Sequence, residues 1–280
     1  MKRYTFLLLA LLAVAADATT REIAITIDDL PLVASRMNNP GNVQRATERF
    51  SQIVNAFKKY NVPATGFIIA GAIEKGQWEF LEQFRAAGFT LGNHTYSHYN
   101  LNRMSAEKYI ADVERADKKL SPIMTTPKYF RYPYLAEGNK DTKEKVKDYL
   151  AANQYTIAPV TIDSKDFNFN EMTYKVPFRS RPAYIQKLKP RYLDYIWKQT
   201  LAAEKKAKNN GKQILLIHAN VLNSYLLEDV LEMYQKNGYK FISLAEALKD
   251  PAPEILAPTP KEDGASTKLE EQLLLPTKQQ

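Results

Sequence analysis

The chain has 280 residues, 45% of them hydrophobic and 25% charged, with 15 prolines and 10 glycines; this is the composition of an ordinary folded protein and excludes collagen-like, fibrous and wholly disordered classes. It has no cysteine, which removes disulfides, thiolate zinc sites, thiol nucleophiles and a lipidated amino-terminal cysteine, and leaves any metal to histidine and carboxylate. The formal net charge is +8, a basicity that suits anionic cell-envelope polymers without specifying one, and there are three histidines in all.

At the amino terminus Lys2 and Arg3 precede an apolar run from Phe6 to Ala16, and Ala16-Asp17-Ala18 offers a small-x-small cleavage site. Residues 1–18 therefore read as a cleavable signal peptide, and the protein is expected to be periplasmic or secreted. The run is shorter than the roughly 20 residues that span a bilayer, so no transmembrane segment is expected in the mature chain; an uncleaved anchor is the alternative. Cleavage leaves a net charge of +7 after loss of Lys2, Arg3 and Asp17.

From Arg21 onward, β-rich runs alternate with segments of helical period. Strands are expected at 22–27, 64–69, 89–91, 128–131, 155–162, 213–217 and 239–242. Between them, Phe50, Ile53, Val54 and Phe57 mark one face of a helix over 43–60, and further helices fit 77–87, 106–120, 141–151, 192–209 and 225–237. Ser243 and Glu246 form a capping box for a last short helix. Residues 251–280, with five prolines and no sustained apolar period, read as a flexible tail.

Such alternation calls for parallel strands with crossover helices, in a barrel or an open doubly wound sheet. The reactive residue types decide between them. Asp28 and Asp29 follow the first strand, His94 the third, Arg131 the fourth, Asp163 and Asp166 the fifth, and His218 the sixth. Carboxyl ends converge at one mouth only in a barrel, so the expected fold is α/β, a distorted (β/α) barrel of about seven parallel strands. It forms one catalytic domain over 19–250, with an insertion at about 167–197.

His94 and His98, in HTYSH, stand four apart, the spacing that lets two imidazoles share a metal ion. Thr95 follows His94, so the HExxH protease motif is absent and a base must come from elsewhere. The Asp28-Asp29 pair is open to two readings, a turn and helix cap or a metal-linked carboxylate pair. Adjacent carboxylates in a half-buried site ionise together only if cations neutralise them. No G-x-S-x-G, G-x-G-x-x-G or G-x-x-x-x-G-K motif occurs.

At these residues the chain resembles the polysaccharide deacetylase family, the NodB homology domain of carbohydrate esterase family 4. The resemblance runs from about Glu22 to Leu248 and places five motifs in order: TIDD at 26–29, HTYSH at 94–98, RYPY at 131–134, DSKDF at 163–167 and LIH at 216–218. Tyr132 stands where the family commonly has proline, Leu135 where it has glycine and Phe167 where it has tryptophan, departures that bear on the shape of the substrate groove.

The resemblance implies that Asp29, His94 and His98 hold a divalent ion, most simply zinc, that Asp28 is the general base and that Arg131 is its partner. It implies that the backbone N–H of Tyr134 faces the oxyanion and that His218 is the general acid, with its ring fixed by Asp166. Phe167 and Leu216 become walls of the acetyl pocket. Simpler readings stay open at Arg131 as a rim salt bridge, Asp163 as a turn and Leu216 as core.

The implied activity is removal of N-acetyl groups from an N-acetylhexosamine polymer, peptidoglycan before chitin-like polymers, with no nucleic-acid partner. Hydrolysis of a small cyclic or linear amide, or carbohydrate binding without catalysis, are the alternatives. Within the insertion, Tyr192, Tyr195 and Trp197 have helix-face spacing, whereas Tyr174, Phe178 and Tyr184, mixed with Lys175, Arg179 and Arg181, are expected to form a loop wall beside the metal that meets sugar rings or anionic polymer. A protein partner contact through 167–197 is the competing use.

Overall fold

The computed structural model describes residues 21–32, 36–207 and 211–249. The expected signal peptide and tail lie outside them.

β1 (Arg21–Leu30) is the hub. It pairs in parallel with β2 (Thr65–Ile68), β7 (Gln213–His218) and, at its start, β8 (Tyr239–Phe241). Beyond β2 the sheet continues through β3 (Thr90–Asn93), β4 (Lys128–Phe130) and β5 (Tyr155–Ile157), and beyond β7 it ends at β6 (Ile162–Asp163), all parallel. Seven strands follow one curled path, as expected for a distorted barrel, and β8 is an eighth off that path.

The run 155–162 differs from the single strand its composition suggests. It divides into β5, which pairs with β4, and β6, which pairs with β7, so a continuous piece of chain carries the sheet from one edge to the other. Across the seam Ala158 N donates to Phe130 O, and Thr161 N donates to Ile214 O. Pro159 between them has no N–H to offer either ladder.

Strand alternation sorts the side chains. Ala24, Phe67, Tyr129, Ala158 and Ile214 fill the inside of the curl together with Ile242, Leu244 and Ala247, so α8 (Leu244–Ala247) packs against the interior. Outside, Ile23, Ile25, Ile27, Leu215 and Ile217 pack into the main core with the helices. α1 (Pro40–Lys59) buries Phe50, Ile53, Val54 and Phe57 there; Asn39 caps it and Pro40 opens it. Burial stabilises each such side chain by about 1.5–3 kcal/mol. α2 (Trp78–Ala86), α3 (Ala106–Leu120) and α4 (Lys140–Ala152) follow β2, β3 and β4.

Residues 167–197, read from sequence as a loop-bearing insertion, are largely helical: α5 (Asp166–Tyr174), a 3-10 turn over Phe178–Ser180 and the first part of α6 (Arg181–Lys206). α6 starts eleven residues before the expected 192, because Pro182 falls in its first turn, where a missing N–H costs nothing. Pro190 lies inside it and removes one ladder bond, a loss set against burial of Ile185, Leu188, Tyr192 and Ile196. Tyr184, placed by sequence in a groove wall, packs instead against the main core, as do Tyr195 and Trp197. α7 (Val221–Lys236) follows β7 and packs on α1 and α6. No helix among the described residues is long and apolar enough to cross a membrane.

Candidate active site

Period-two alternation alone would turn Asp29 away from the mouth that Asp28 faces. The chain overrides it: Asp29 adopts a left-handed φ of 63°, and the β1–β2 register shifts between Ile27 and Leu30. Both carboxylates consequently face one imidazole, with His94 Nε2 3.7 Å from Asp28 Oδ2 and 3.5 Å from Asp29 Oδ1. Few non-glycine residues adopt such a φ, and Asp is one of those that tolerate it best.

The loop after β3 is held just as firmly. Thr95 and His98 also have positive φ, at 67° and 55°. Asn93 Oδ1 accepts from Thr95 N at 2.7 Å, and Thr95 Oγ1 accepts from His98 N at 3.0 Å. From α3, one oxygen of Asp112 accepts from both Tyr96 N and Ser97 N, at 3.0 and 2.9 Å. On the other side Gly71 N donates to Tyr96 O, and a Cβ at Gly71 would lie 2.4 Å from that oxygen, so only glycine permits the approach.

Asp29, His94 and His98 bring their ligand atoms within 4.8 Å of one another. Three observations fit them to a cation. Asp29 Oδ1 is buried without a hydrogen-bond partner. His94 Nδ1 lies 2.8 Å from Arg131 O, which requires the proton on Nδ1, and burial lowers its pKa to about 4, so a neutral ring turns the Nε2 lone pair toward the carboxylate. Lone pairs facing across 3.5 Å repel unless a positive ion lies between them. His98 Nε2 is 3.4 Å from the same oxygen. Atoms bound at about 2.1 Å to one tetrahedral ion stand about 3.4 Å apart.

Arg131, almost wholly buried, places Nη1 3.4 Å from each oxygen of Asp28. Its other donors reach Thr26 Oγ1 at 3.1 Å and the seam carbonyls of Ala158 at 2.8 Å and Pro159 at 3.4 Å, while its plane lies over Phe67. Burial raises the Asp28 pKa and the Arg131 charge opposes that rise.

Opposite stands His218. Its Nδ1 and its backbone N lie 2.7 Å from the two oxygens of Asp166. Asp166 is fully buried and also accepts from Asn220 and Asn223. Burial works against a charged ring, but the Asp166 carboxylate outweighs it and pushes the His218 pKa up to about 10. Sequence reasoning missed Asn93, Asp112, Asn220 and Asn223. The signals were a polar Asn closing β3, an acid on the apolar face of α3, and the helix cap beside His218.

Phe167 is exposed and its ring meets that of His218 at right angles, 5.8 Å between centres, and Leu216 is buried on the strand face that also carries His218. Tyr134 is exposed, has a φ of 59° and leans on His98 at 4.6 Å between ring centres. Beside it a cavity of about 360 Å³ is lined by His98, Tyr99, Asn100, Arg103, Met104 and Tyr134. Asp163 bonds Lys165, through the backbone N at 2.9 Å and Nζ at 2.7 Å, and so serves the turn into α5.

A polysaccharide deacetylase family model matches residues 15–156. The chain is 26% identical over 165 residues to a peptidoglycan-N-acetylglucosamine deacetylase of Bacillus cereus, covering 59% of this chain and 54% of the relative. It is 30% identical over 127 residues to a chitin deacetylase of Colletotrichum lindemuthianum, covering 43% and 48%. The match thus spans about half the length of each of these two relatives. In fold it is similar to the peptidoglycan deacetylase PdaC of Bacillus subtilis, with a TM-score of 0.56 and 20% identity over 90% of this chain and 97% of that one.

Proposed function

Because the chain belongs to the polysaccharide deacetylase family, we propose that it is an exported, metal-dependent hydrolase that removes N-acetyl groups from an N-acetylhexosamine polymer, most simply peptidoglycan. The observation that carries this reading is the meeting, at one barrel mouth, of an Asp-His-His cluster with a buried carboxylate on an arginine and an imidazole on a second carboxylate.

Asp29, His94 and His98 would hold the ion, zinc being the simplest match to two imidazoles and a carboxylate. When bound, it supplies Lewis acidity to a carbonyl and lowers the pKa of a water. Asp28 takes the proton of the attacking water. Arg131 keeps that carboxylate ionised and aimed before the attack, and burial keeps it basic enough to accept. His218 donates from Nε2 to the amide nitrogen as the carbon–nitrogen bond breaks, so the sugar leaves as a neutral amine rather than an amide anion. Asp166 holds the ring in the tautomer that presents that proton and stabilises its charge. Acetate and the free amine balance the water consumed. Phe167 and Leu216 border the acetyl methyl, and the Tyr134 backbone N–H faces the developing oxyanion.

Export rests on the amino-terminal signal pattern. Peptidoglycan rests on the basic net charge and on a relative whose name states that substrate. Acetate release should be measured from peptidoglycan, chitin oligomers and a small acetylated amide, before and after chelation and zinc addition. Release from the polymers that chelation abolishes and zinc restores is expected. Release from the small amide alone would overturn the polymer assignment, and release insensitive to chelation would overturn the metal.

A further inference from the structure

Three arginines from two helices gather at a surface where no carboxylate among the described residues meets them. Arg45 and Arg49 lie on the first half of α1 and Arg181 begins α6. Arg181 stacks on Tyr174 at 4.6 Å and on Phe178 at 5.5 Å, and Arg45 covers Phe178 from the other helix at 5.6 Å. Tyr174, Phe178 and the nearby Tyr225 of α7 are all exposed. Arg181 Nε is buried without a hydrogen-bond partner. Burial lowers the Arg49 pKa, and the charges of Arg181 and Arg45 act in the same direction against the two tyrosines. Like charges packed this closely destabilise the fold, and their cost is relieved by an anion.

The position is as telling as the composition. α1 follows the Asp28-Asp29 end of β1, α7 follows His218, and α5 runs from Asp166 to Tyr174, about 12 Å at the rise of a helix. The cluster therefore lies on the flank of the mouth formed by β6, β7 and β1, whereas the cavity beside Tyr99 and Tyr134 lies on the β3–β4 flank. A polymer lying across Asp29 would meet tyrosines on one side and arginines on the other. The surrounding segment, Lys165 to Lys198, holds eight basic residues against three acids.

We propose that Arg45, Arg49 and Arg181, with Tyr174 and Phe178, form a second substrate contact that grips carboxylates carried by the polymer, making this an enzyme for a carboxylate-bearing glycan rather than a neutral one. This rests on the polysaccharide reading above and narrows it. Guanidinium matches carboxylate in shape and charge, and the rings give the sugar backbone an apolar surface on which to lie.

The test uses the whole chain and insoluble peptidoglycan stripped of other wall polymers, untreated or with its carboxylates amidated, and chitin as a neutral polymer. Cosedimentation should weaken with salt on untreated peptidoglycan. It should fall roughly tenfold on amidation or in the Arg45→Gln/Arg49→Gln/Arg181→Gln variant, as three partly screened ion pairs predict, and the variant should no longer distinguish treated from untreated polymer. Chitin binding should change far less. Arg45→Glu, on an exposed helix position, provides a second variant that keeps the buried surroundings intact. Equal loss on chitin, or insensitivity of the wild-type chain to amidation, would overturn the proposal. If no polymer releases acetate, the deacetylase reading falls while the binding comparison still decides this one.

Discussion

Asp28 and His218 are directly opposed residues in the parallel register of β1 and β7, although 190 positions separate them in the chain. Thr26 and Leu216 form the preceding inward pair, so the same alternation that fills the barrel delivers a carboxylate and an imidazole to its mouth face to face. One carries an arginine behind it and the other a carboxylate, which pulls their protonation tendencies apart, as the proposed water-activating and amine-protonating roles require.

Asp28→Asn keeps the size of the side chain and removes the proton acceptor. Turnover should fall about 10²–10⁴-fold while zinc affinity changes little. Acetate release set beside equilibrium dialysis measures both. Near-native turnover with metal bound would reassign water activation to another group.

His98→Ala removes one of the three proposed metal ligands. In the wild-type chain, zinc at a hundredfold excess over its dissociation constant should stabilise the fold by about 2.7 kcal/mol, and a chelator should reverse this. In the variant the same zinc concentration should leave the melting temperature nearly unmoved. An equal shift in both proteins would remove His98 from the ligand set.

Asp112 touches no reacting group, yet its oxygen fixes the backbone of Tyr96 and Ser97 between the two histidines. Asp112→Ala removes the acceptor of two half-buried donors, a cost below the roughly 1–3 kcal/mol each that full burial would impose. Zinc affinity should fall roughly 10–100-fold, the usual effect of loosening groups that orient ligands. Isothermal titration would expose the error if affinity were unchanged.

The pH dependence follows from Asp166. Raised from 6.5 to about 10, His218 contributes stability that is fully present below pH 6.5 and lost as pH rises through 10. Asp166→Asn lowers that pKa toward its ordinary value, so the alkaline limb of the turnover profile should move down and the stability loss between pH 6.5 and 10 should flatten. Denaturant unfolding across that range, with turnover profiles for both proteins, reads the effect. Superimposable profiles would show that the carboxylate does not set the ring's charge.

The convergence of the candidate site residues was legible in the sequence, as was the barrel class, whereas several details of the scaffold were not. With three histidines and no cysteine, the metal-capable residues were nearly forced, and strand ends located Asp28, Asp29 and His218 because parallel strands deliver their carboxyl ends to one side. Pro159 was a local signal of the break inside 155–162, having no N–H for a ladder, but which neighbour each half pairs with is not encoded locally, since both halves are β-rich. Prolines at 182 and 190 disguised the start of α6, whose existence depends on burial of Ile185 and Leu188 rather than on propensity. Tyr184 looked like a surface aromatic for the same reason, its helix not being apparent. Asp112 and Asn223 act through contacts distant in sequence, which no spacing rule encodes.

The seam between β5 and β6 imposes a trade-off on the chemistry. Where two strands would have exchanged hydrogen bonds, the carbonyls of Ala158 and Pro159 are served by the Arg131 guanidinium, the same group that sets Asp28. Closure of the scaffold and the electrostatic setting of Asp28 are therefore not independently adjustable. A substitution at 131 chosen to retune Asp28 also removes donors from the seam carbonyls, and one chosen to brace the seam alters the charge facing Asp28. The Asp166, Asn220 and Asn223 network behind His218 makes no such contact with the join, so the imidazole alone can be retuned independently of it.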